Sequence, residues 1–230
     1  MKIGGFVPMS LVDYPGMPCA AIFTIGCNLR CPFCHNPGLV LDQAGSEISR
    51  EIVLEFLRQR RTRLNAVCIS GGEPTLQPDL VSFIREVKDI GYKVKLDTNG
   101  SRPEVLQRLL DGGLLDYAAL DIKSSPAKYR QATGGFMEFE EAAQSAALLR
   151  DKNISCEFRT TAVPGLVDLE DLEEIARLLG PVPRFALQQF RPNQTLDPAL
   201  AAVNPYPVVW FQEATSILMD WAEDVIVRGI

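Results

Sequence analysis

Three cysteines stand close together in the sequence, at Cys27, Cys31 and Cys34, with the spacing C-x3-C-x2-C. They come directly after an apolar run over residues 19–25, so we place them on a loop that follows a strand. Cysteine thiolates hold iron–sulfur clusters, which normally take four such ligands. Three ligands on one short loop leave one corner of the cluster without a nearby protein ligand. We therefore predict a [4Fe–4S] cluster whose fourth iron is reserved for a small molecule.

Structural zinc and disulfide bonds are two other uses of such cysteines. A structural zinc site usually closes with four ligands, often as two C-x2-C pairs. The remaining candidate ligands are Cys19, Cys68, Cys156 and His35, the single histidine. Cys19 and Cys68 fall in strand-like apolar runs, where a cysteine behaves as a small hydrophobic residue, and Cys156 is also assigned to the core. A disulfide framework is less favoured, because three of the six cysteines crowd into one loop and we see no secretory signal.

Composition and charge narrow the class of protein. The chain has 230 residues, of which 47% are hydrophobic, and this is enough for one sizeable core. We expect a single domain over residues 1–230, with a core over about 19–192 and a C-terminal helix and possible last strand over 207–228. A net charge of −6 gives no overall attraction to nucleic acid, and no apolar run reaches the length of a membrane span. We expect a cytoplasmic protein that binds neither nucleic acid nor membranes.

The apolar periodicity predicts strands that alternate with helices. The predicted strands are 19–25, 66–70, 92–97, 117–122, 155–163 and 184–190, with a possible last strand at 224–228. The predicted helices are 49–61, 79–90, 103–110, 139–150, 169–179 and 207–221, and residues 1–18 are interpreted as a turn-rich lead-in. Six βα repeats with short connections imply an α/β fold with a parallel sheet and helices outside it.

Polar and glycine-rich segments follow each predicted strand. In parallel sheets the chemistry gathers at the carboxyl ends of the strands, so these segments are expected to line one pocket. Each segment alone could be a simple turn, and it is the shared position that indicates a site. The segments are the cysteine loop, 70–74, 97–100, 121–123, 163–165 and 188–192.

The cysteine loop, with Phe33 before its last cysteine, resembles the signature of the radical S-adenosylmethionine (SAM) superfamily. This resemblance implies an open (β/α)6 partial TIM barrel, a [4Fe–4S] cluster and SAM bound at the open iron. Gly71, Gly72 and Glu73 resemble the GGE motif of that superfamily, which holds the amino group of SAM. Glycines would let the backbone approach the ligand closely. The alternative is a strand-to-helix turn with a capping glutamate.

Three further segments resemble the activating enzymes of glycyl radical enzymes, namely a DTNG segment, a D-hydrophobic-K segment and an arginine before Val-Pro-Gly. The resemblance implies that they surround the carboxylate and ribose of SAM, where a cation can also bind. A plain turn at residues 99–100 and a solvated strand end at Lys123 are the alternatives. The implied SAM-binding residues are Asp97, Thr98, Asn99, Asp121, Lys123 and Arg159.

Three more side chains are implied at the cofactor. Phe33 would pack on the adenine, and His35, in a Cys-His-Asn-Pro segment that also matches the activating enzymes, would shape the loop rather than bind iron. The pyruvate formate-lyase activating enzyme carries a histidine after strand six that contacts the cofactor. This chain has Phe-Arg-Pro-Asn there, so Arg191 is the candidate for that place.

The resemblance also implies a reaction, in which one electron cleaves SAM and the resulting 5′-deoxyadenosyl radical abstracts a hydrogen atom. No general acid or base is required, which fits a chain with one histidine. Segments 10–16, Ser-Leu-Val-Asp-Tyr-Pro-Gly, and 34–37, Cys-His-Asn-Pro, are most similar to the activating proteins of anaerobic ribonucleoside-triphosphate reductases. We therefore predict an oxidoreductase that abstracts a glycine Cα hydrogen from such a reductase and leaves a glycyl radical.

Three other functions are weighed against this one. The chain could activate another glycyl radical enzyme such as pyruvate formate-lyase, or act on a small molecule as 7-carboxy-7-deazaguanine synthase does. It could also be an iron–sulfur electron carrier, although a carrier has no reason to place a GGE loop beside an open iron. We expect a flavodoxin or ferredoxin-type electron donor. The basic run over residues 58–63 is either its docking site or a solvated helix end that favours the helix dipole.

Overall fold

The computed structural model describes residues 1–43, 45–152, 154–193 and 195–230. The described strands follow one another in the sheet in the same order as in the sequence. They are β1 (Ile3–Ser10), β2 (Cys19–Thr24), β3 (Ala66–Gly71), β4 (Lys93–Thr98), β5 (Tyr117–Asp121), β6 (Cys156–Ala162), β7 (Phe185–Gln189) and β8 (Val225–Arg228). β1 is antiparallel to β2, whereas β2, β3 and β4 are parallel to one another, as are β6, β7 and β8.

Helices separate the successive parallel strands, as the βα pattern predicts. They are α1 (Pro37–Val40), α2 (Arg50–Arg60), α3 (Leu80–Ile90), α4 (Pro103–Asp111), α5 (Pro126–Ala132), α6 (Phe139–Asp151), α7 (Leu169–Leu179) and α8 (Val208–Leu218), with short 3-10 turns at Pro74–Leu76 and Pro198–Ala202. The predicted strands and helices are confirmed to within three residues at each end. None of the described helices combines the length and apolarity that crossing a bilayer needs.

The prediction of a turn-rich lead-in over residues 1–18 is wrong for Ile3–Ser10, which forms β1. Gly4, Gly5 and Pro8 weaken the strand signal of this segment, because glycine and proline are disfavoured inside strands. Pairing with β2 outweighs that preference, and the ladder is irregular between Val7 and Ser10, on either side of Pro8. Two short helices, α1 and α5, were also not predicted.

The chain divides into two compact units. The first unit comprises residues 1–28, 38–98 and 104–118, and it contains β1 to β4. Helix α3 shows why these elements form: Leu80, Phe83, Ile84 and Val87 recur at helical spacing and are buried. Gly91 ends the helix in a left-handed conformation (φ +102°), where its N–H bonds to the last carbonyls.

The second unit comprises residues 29–37, 99–103 and 119–230, and it contains β6 to β8. Glu157 on β6, 1% exposed, binds Arg228 on β8 through two parallel hydrogen bonds of 3.1 and 2.7 Å. Such a bidentate pair compensates a buried carboxylate and fixes the last strand in register. The single domain over residues 1–230 stays a prediction.

Candidate functional site

In the first unit, the Gly71-Gly72-Glu73 loop is bonded to the chain just before Cys27. Gly72 N–H donates to the Thr24 carbonyl at 2.9 Å, and Glu73 N–H donates to the Gly26 carbonyl at 2.8 Å. A Cβ on Gly72 would lie 2.0 Å from Gly26 O, and one on Gly71 (φ +112°) would lie 2.3 Å from Thr24 N. From the sequence, these glycines are expected to let a ligand approach the backbone closely. Close backbone packing is a second reason for them, and it applies before any ligand binds.

Glu73 joins two of the predicted motifs. Its side chain is fully buried, and Oε1 accepts hydrogen bonds from Thr75 N–H (3.0 Å), Thr75 Oγ1 (2.5 Å) and Thr98 Oγ1 (2.8 Å). The bonds from Thr75 cap the 3-10 turn Pro74–Leu76, so the capping role weighed in the sequence analysis is observed. The bond from Thr98 connects the GGE segment to the DTNG segment.

Asp97 is held by a buried partner that the sequence analysis missed. Lys95 Nζ lies 2.5 Å from Asp97 Oδ1, and the two residues are 3% and 9% exposed. They are two positions apart on β4, so their side chains lie on the same face of the strand. Ser70 Oγ donates to Asp97 Oδ2 at 3.2 Å, and Cys68 Sγ lies 3.8 Å from Oδ1. The sequence signal for this ion pair was a lysine that stands between buried residues of a strand. Lysine is almost never buried without a partner of opposite charge.

The three cysteines outside the loop are core residues, as predicted. Cys19, Cys68 and Cys156 are at most 4% exposed. Burial raises the pKa of the Cys19 and Cys156 thiols to about 11. Burial, and after it the Asp97 carboxylate, raise the pKa of the Cys68 thiol well above its ordinary value. Because metals bind the thiolate, these protonated thiols are poor ligands.

The second unit contains Cys31 and Cys34, which lie on one tight turn. Cys34 N–H donates to the Cys31 carbonyl at 3.0 Å, and Cys31 is 7% exposed. The loop rests on the end of α5, where Arg30 N–H donates to the Thr133 carbonyl at 3.0 Å. Gly134 (φ +74°) completes this contact, because a Cβ there would lie 2.4 Å from Arg30 O. Phe33 between the two cysteines is buried.

Asp121, Lys123 and Arg159 form an ion-pair trio in the second unit. Lys123 Nζ lies 3.0 Å from Asp121 Oδ2, and Arg159 Nε lies 2.7 Å from Asp121 Oδ1. Burial alone would raise the pKa of Asp121, but Arg159 and then Lys123 hold it well below its ordinary value. Burial alone would lower the pKa of Lys123, but Asp121 and then the Cys31 sulfur raise it. The trio is therefore fully ionised at neutral pH, with two cations and one anion.

The remaining predicted residues of the second unit lie at turns. Burial, and then the Arg191 guanidinium, lower the pKa of His35, whose imidazole also bonds the backbone of Asn193. The structure thus brings His35 and Arg191 together, and the Nε2 atom of His35 is buried without a partner among the described residues. Asn99 Oδ1 accepts the Ser101 N–H at 2.9 Å, so the plain turn weighed for residues 99–100 is observed.

Tyr129 on α5 is a further residue that sequence reasoning missed. Its side chain is fully buried and its ring packs edge-to-face on Phe139, with centroids 5.5 Å apart. Burial raises the pKa of its phenol, and its electrostatic neighbours include Lys123 and Cys31. The sequence signal for the helix that carries Tyr129 was Pro126, because proline is common at the first position of a helix. This helix begins shortly after Asp121-Ile122-Lys123.

Cys31 and Cys34 share a turn in one unit, whereas Cys27 belongs to the other unit. In the part of the chain that the structure describes, no three His, Cys, Asp or Glu side chains group closely enough to hold one metal ion. Ligands of a cluster bind different irons, so they stand farther apart than the ligands of a single ion. The donor set fits a cluster in its chemistry, because thiols on a short loop are what such clusters use.

Comparison with known proteins gives one matching family. The model of the Radical SAM superfamily matches residues 21–179. A "putative glycyl-radical enzyme activating enzyme" of Methanocaldococcus jannaschii is 34% identical over 235 residues, which cover 99% of this chain and 96% of that protein. The pyruvate formate-lyase 1-activating enzyme of Escherichia coli K12 is 31% identical over 198 residues, which cover 81% of this chain and 79% of that protein.

Solved structures agree with the fold. A radical SAM methyltransferase from Sphaerobacter thermophilus has a TM-score of 0.71 at 16% identity, and the match covers 94% of this chain and 67% of that one. SuiB of Streptococcus suis, solved with its precursor peptide SuiA, has a TM-score of 0.68 at 14% identity. That match covers 91% of this chain, which spans about half (48%) of SuiB. The open (β/α)6 partial TIM barrel predicted from the sequence is confirmed.

Proposed function

Because this chain belongs to the radical SAM superfamily, and within it to the glycyl-radical enzyme activating enzymes, we propose that it activates an anaerobic ribonucleoside-triphosphate reductase. Its cofactors are a [4Fe–4S] cluster and SAM, which define the superfamily. When bound, they supply the one-electron chemistry that removes a hydrogen atom from the substrate. The proposed substrate is a glycine Cα in the partner reductase, and the residues of this chain contribute binding, orientation and exclusion of water.

We propose a reductase as the partner because of the segment Ser-Leu-Val-Asp-Tyr-Pro-Gly at residues 10–16. Ser10 Oγ accepts the N–H groups of Val12 and Asp13 at 3.2 and 3.3 Å, which folds the segment into a turn. Tyr14, 4% exposed, anchors this turn against Tyr117, with ring centroids 5.8 Å apart. Leu11 and Val12 are 72% and 86% exposed at its tip. An anchored turn that offers apolar side chains to solvent suits a protein partner better than a small molecule.

We assign the cluster to Cys27, Cys31 and Cys34. The tight turn between Cys31 and Cys34 supports this assignment. So do the raised pKa values of the other cysteines, since burial keeps Cys19, Cys68 and Cys156 protonated. The loop cysteines are then the ones left to act as thiolate ligands.

We assign the charged groups of SAM to residues of opposite charge. The carboxylate of Glu73 and the backbone of Gly71 and Gly72 would receive the amino group, and the net positive charge of the Asp121–Lys123–Arg159 trio suits the carboxylate. Phe33 would contact the adenine. The other residues proposed around SAM are His35, Asp97, Thr98, Asn99 and Arg191.

The electron donor is proposed to be a flavodoxin or a ferredoxin-type protein, acting in the cytoplasm. Its candidate docking site is the basic run at residues 58–63. Arg58 is about half exposed (54%), and its ion pair with Glu55 on the same helix is a loose one, with a nitrogen–oxygen distance of 3.6 Å. Arg61 is less available, because its Nε donates to the Ile90 carbonyl at 3.1 Å. An acidic donor would be attracted to such a patch, and more strongly at low salt.

Reconstitution with candidate partners tests the proposed function. The chain is loaded anaerobically with iron and sulfide, reduced, and mixed with SAM and either an anaerobic ribonucleoside-triphosphate reductase or a pyruvate formate-lyase. We expect a glycyl radical signal by electron paramagnetic resonance in the reductase, and none when its radical-bearing glycine is replaced by alanine. A signal only in pyruvate formate-lyase would favour that second candidate, which the 31% identity to its activating enzyme supports. SAM cleavage without a radical in either protein would point to a small-molecule substrate.

A further inference from the structure

Tyr129 carries a polar group that the described contacts leave unexplained. The residue is 0% exposed. The backbone N–H of Lys123 is placed to donate to its phenolic oxygen, but no described residue accepts the proton of the hydroxyl. Its ring is fixed by the edge-to-face contact with Phe139, so the hydroxyl has little freedom to turn toward solvent. Buried hydroxyl groups nearly always have a partner, and an orphaned one in a native fold requires a reason.

The hydroxyl lies among groups of the proposed cofactor site. Its electrostatic neighbours are Lys123, Cys31 and Asp121. The Lys123 ammonium has only donors to offer, and the two Asp121 oxygens are each already bonded to a cation, one to Lys123 and one to Arg159. The Cys31 sulfur becomes a good acceptor when it is a thiolate bound to iron. Of these three side chains, it is the one whose strength as an acceptor rises when the cluster binds, so we take it as the acceptor of the phenolic proton.

The backbone fixes the cysteine loop to the turn that carries Tyr129. Thr133 N–H donates to the Tyr129 carbonyl at 2.9 Å, and the Thr133 carbonyl accepts the Arg30 N–H at 3.0 Å. Gly134 packs against Arg30 so closely that no Cβ fits between them. Two hydrogen bonds and one glycine contact thus connect Tyr129 to the residue before Cys31.

We propose that Tyr129 is a positioning residue for the cluster and that its hydroxyl donates a hydrogen bond to the Cys31 sulfur when that sulfur binds iron. The inference rests on the proposed assignment of Cys31 as a ligand. Hydrogen bonds to cluster sulfurs are one of the factors that set the reduction potential. A donor at this sulfur stabilises the extra negative charge of the reduced state, so Tyr129 raises the potential and makes the activating electron easier to accept.

Tyr129→Phe removes the hydroxyl and keeps the buried ring. We expect the reconstituted variant to bind as much iron as the unmodified protein but to have a more negative midpoint potential, measured without SAM by a redox titration followed by electron paramagnetic resonance. Tyr92→Phe is the matched control, because the Tyr92 hydroxyl is also buried but already donates to the Leu57 carbonyl at 2.8 Å. An unchanged potential in Tyr129→Phe, or an equal shift in Tyr92→Phe, would overturn the inference.

Two further measurements keep the test decisive if Tyr129→Phe does not fold. Electron–nuclear double resonance on the reduced unmodified protein, in H2O and in D2O, should show an exchangeable proton coupled to the cluster. A fluorotyrosine placed at position 129 makes the phenol a stronger donor and should shift the potential upward; an unchanged potential would contradict the proposal.

If the unmodified chain fails to assemble a cluster, the proposed cluster site is wrong. If the cluster assembles and neither change moves its potential, only the role of Tyr129 is wrong.

Discussion

Two sets of charged residues, one in each unit, are arranged in opposite ways. In the first unit, the carboxylates of Glu73 and Asp97 are buried and surrounded by donors from the same unit. In the second unit, the single carboxylate of Asp121 faces two cations, Lys123 and Arg159, and all three side chains are partly exposed. The first arrangement is closed and holds the backbone in place, whereas the second keeps a net positive charge near the surface. The difference fits a scaffolding role for the first set, added to the SAM contacts proposed for Glu73 and Asp97, and the ligand-binding role proposed for the second set.

The largest expected effect is a difference between two cysteine variants, one in each unit. Cys31→Ala in the second unit should abolish cluster loading and reduce SAM cleavage to background, because two remaining loop cysteines cannot hold the cluster. Cys68→Ala in the first unit should keep the cluster, since the Cys68 thiol is buried and protonated. Iron content and the methionine released from SAM measure both outcomes. Retained cleavage in Cys31→Ala would refute the cluster assignment.

Lys95→Met should be the most destabilising of the lysine changes. It leaves Asp97 buried without its cation, and breaking one partner of a buried ion pair costs about 3–5 kcal/mol. Lys93→Met on the same strand is the matched control, because Lys93 is exposed and should change the free energy of unfolding by less than about 0.5 kcal/mol. Urea unfolding compares the two variants. Equal stabilities would mean that the Lys95–Asp97 pair does not have the scaffolding role assigned to the first unit.

Lys123→Met should affect binding more than folding. Asp121 keeps Arg159 as a partner, so the loss of stability should be smaller than in Lys95→Met. A charge-assisted hydrogen bond is worth about 1.5–3 kcal/mol, so the dissociation constant of SAM for the cluster-loaded protein should rise roughly tenfold or more. Equilibrium dialysis measures this constant. Unchanged SAM affinity together with a large loss of stability would make the Asp121–Lys123–Arg159 trio a scaffold like the buried carboxylates of the first unit.

The smallest expected effect is a pH dependence of stability. Because the folded pKa of Asp121 lies well below its ordinary value, its contribution is fully present above the unfolded pKa of about 3.9 and is lost as the pH falls toward the folded pKa. The melting temperature of the unmodified, cluster-free chain should therefore exceed that of Asp121→Asn at pH 5. This difference should shrink on acidification below about pH 4. If the difference in melting temperature grew on acidification, the pKa of Asp121 would not be lowered in the folded state.

The sequence was most informative where spacing alone carries the chemistry. The C-x3-C-x2-C spacing and the apolar period of α3 are local patterns, and both led to correct conclusions about family and fold. β1 was missed because its glycines and proline argue against a strand, and only pairing with β2 stabilises it. Lys95 and Tyr129 were missed for a related reason. Their partners come from burial and from contacts between elements, which no period in the sequence records.

The backbone contacts around Gly26 have a consequence for how the metal centre is built. Gly26 N–H donates to the Leu39 carbonyl and its own carbonyl accepts the Glu73 N–H, both at 2.8 Å, directly before Cys27. These backbone hydrogen bonds need no iron, so the chain directly before Cys27, the first of the proposed cluster ligands, is held in position without the cluster. Iron and sulfide can then be delivered to a chain that is already folded there, and a chelator should strip the metal without melting the strand ends next to Cys27.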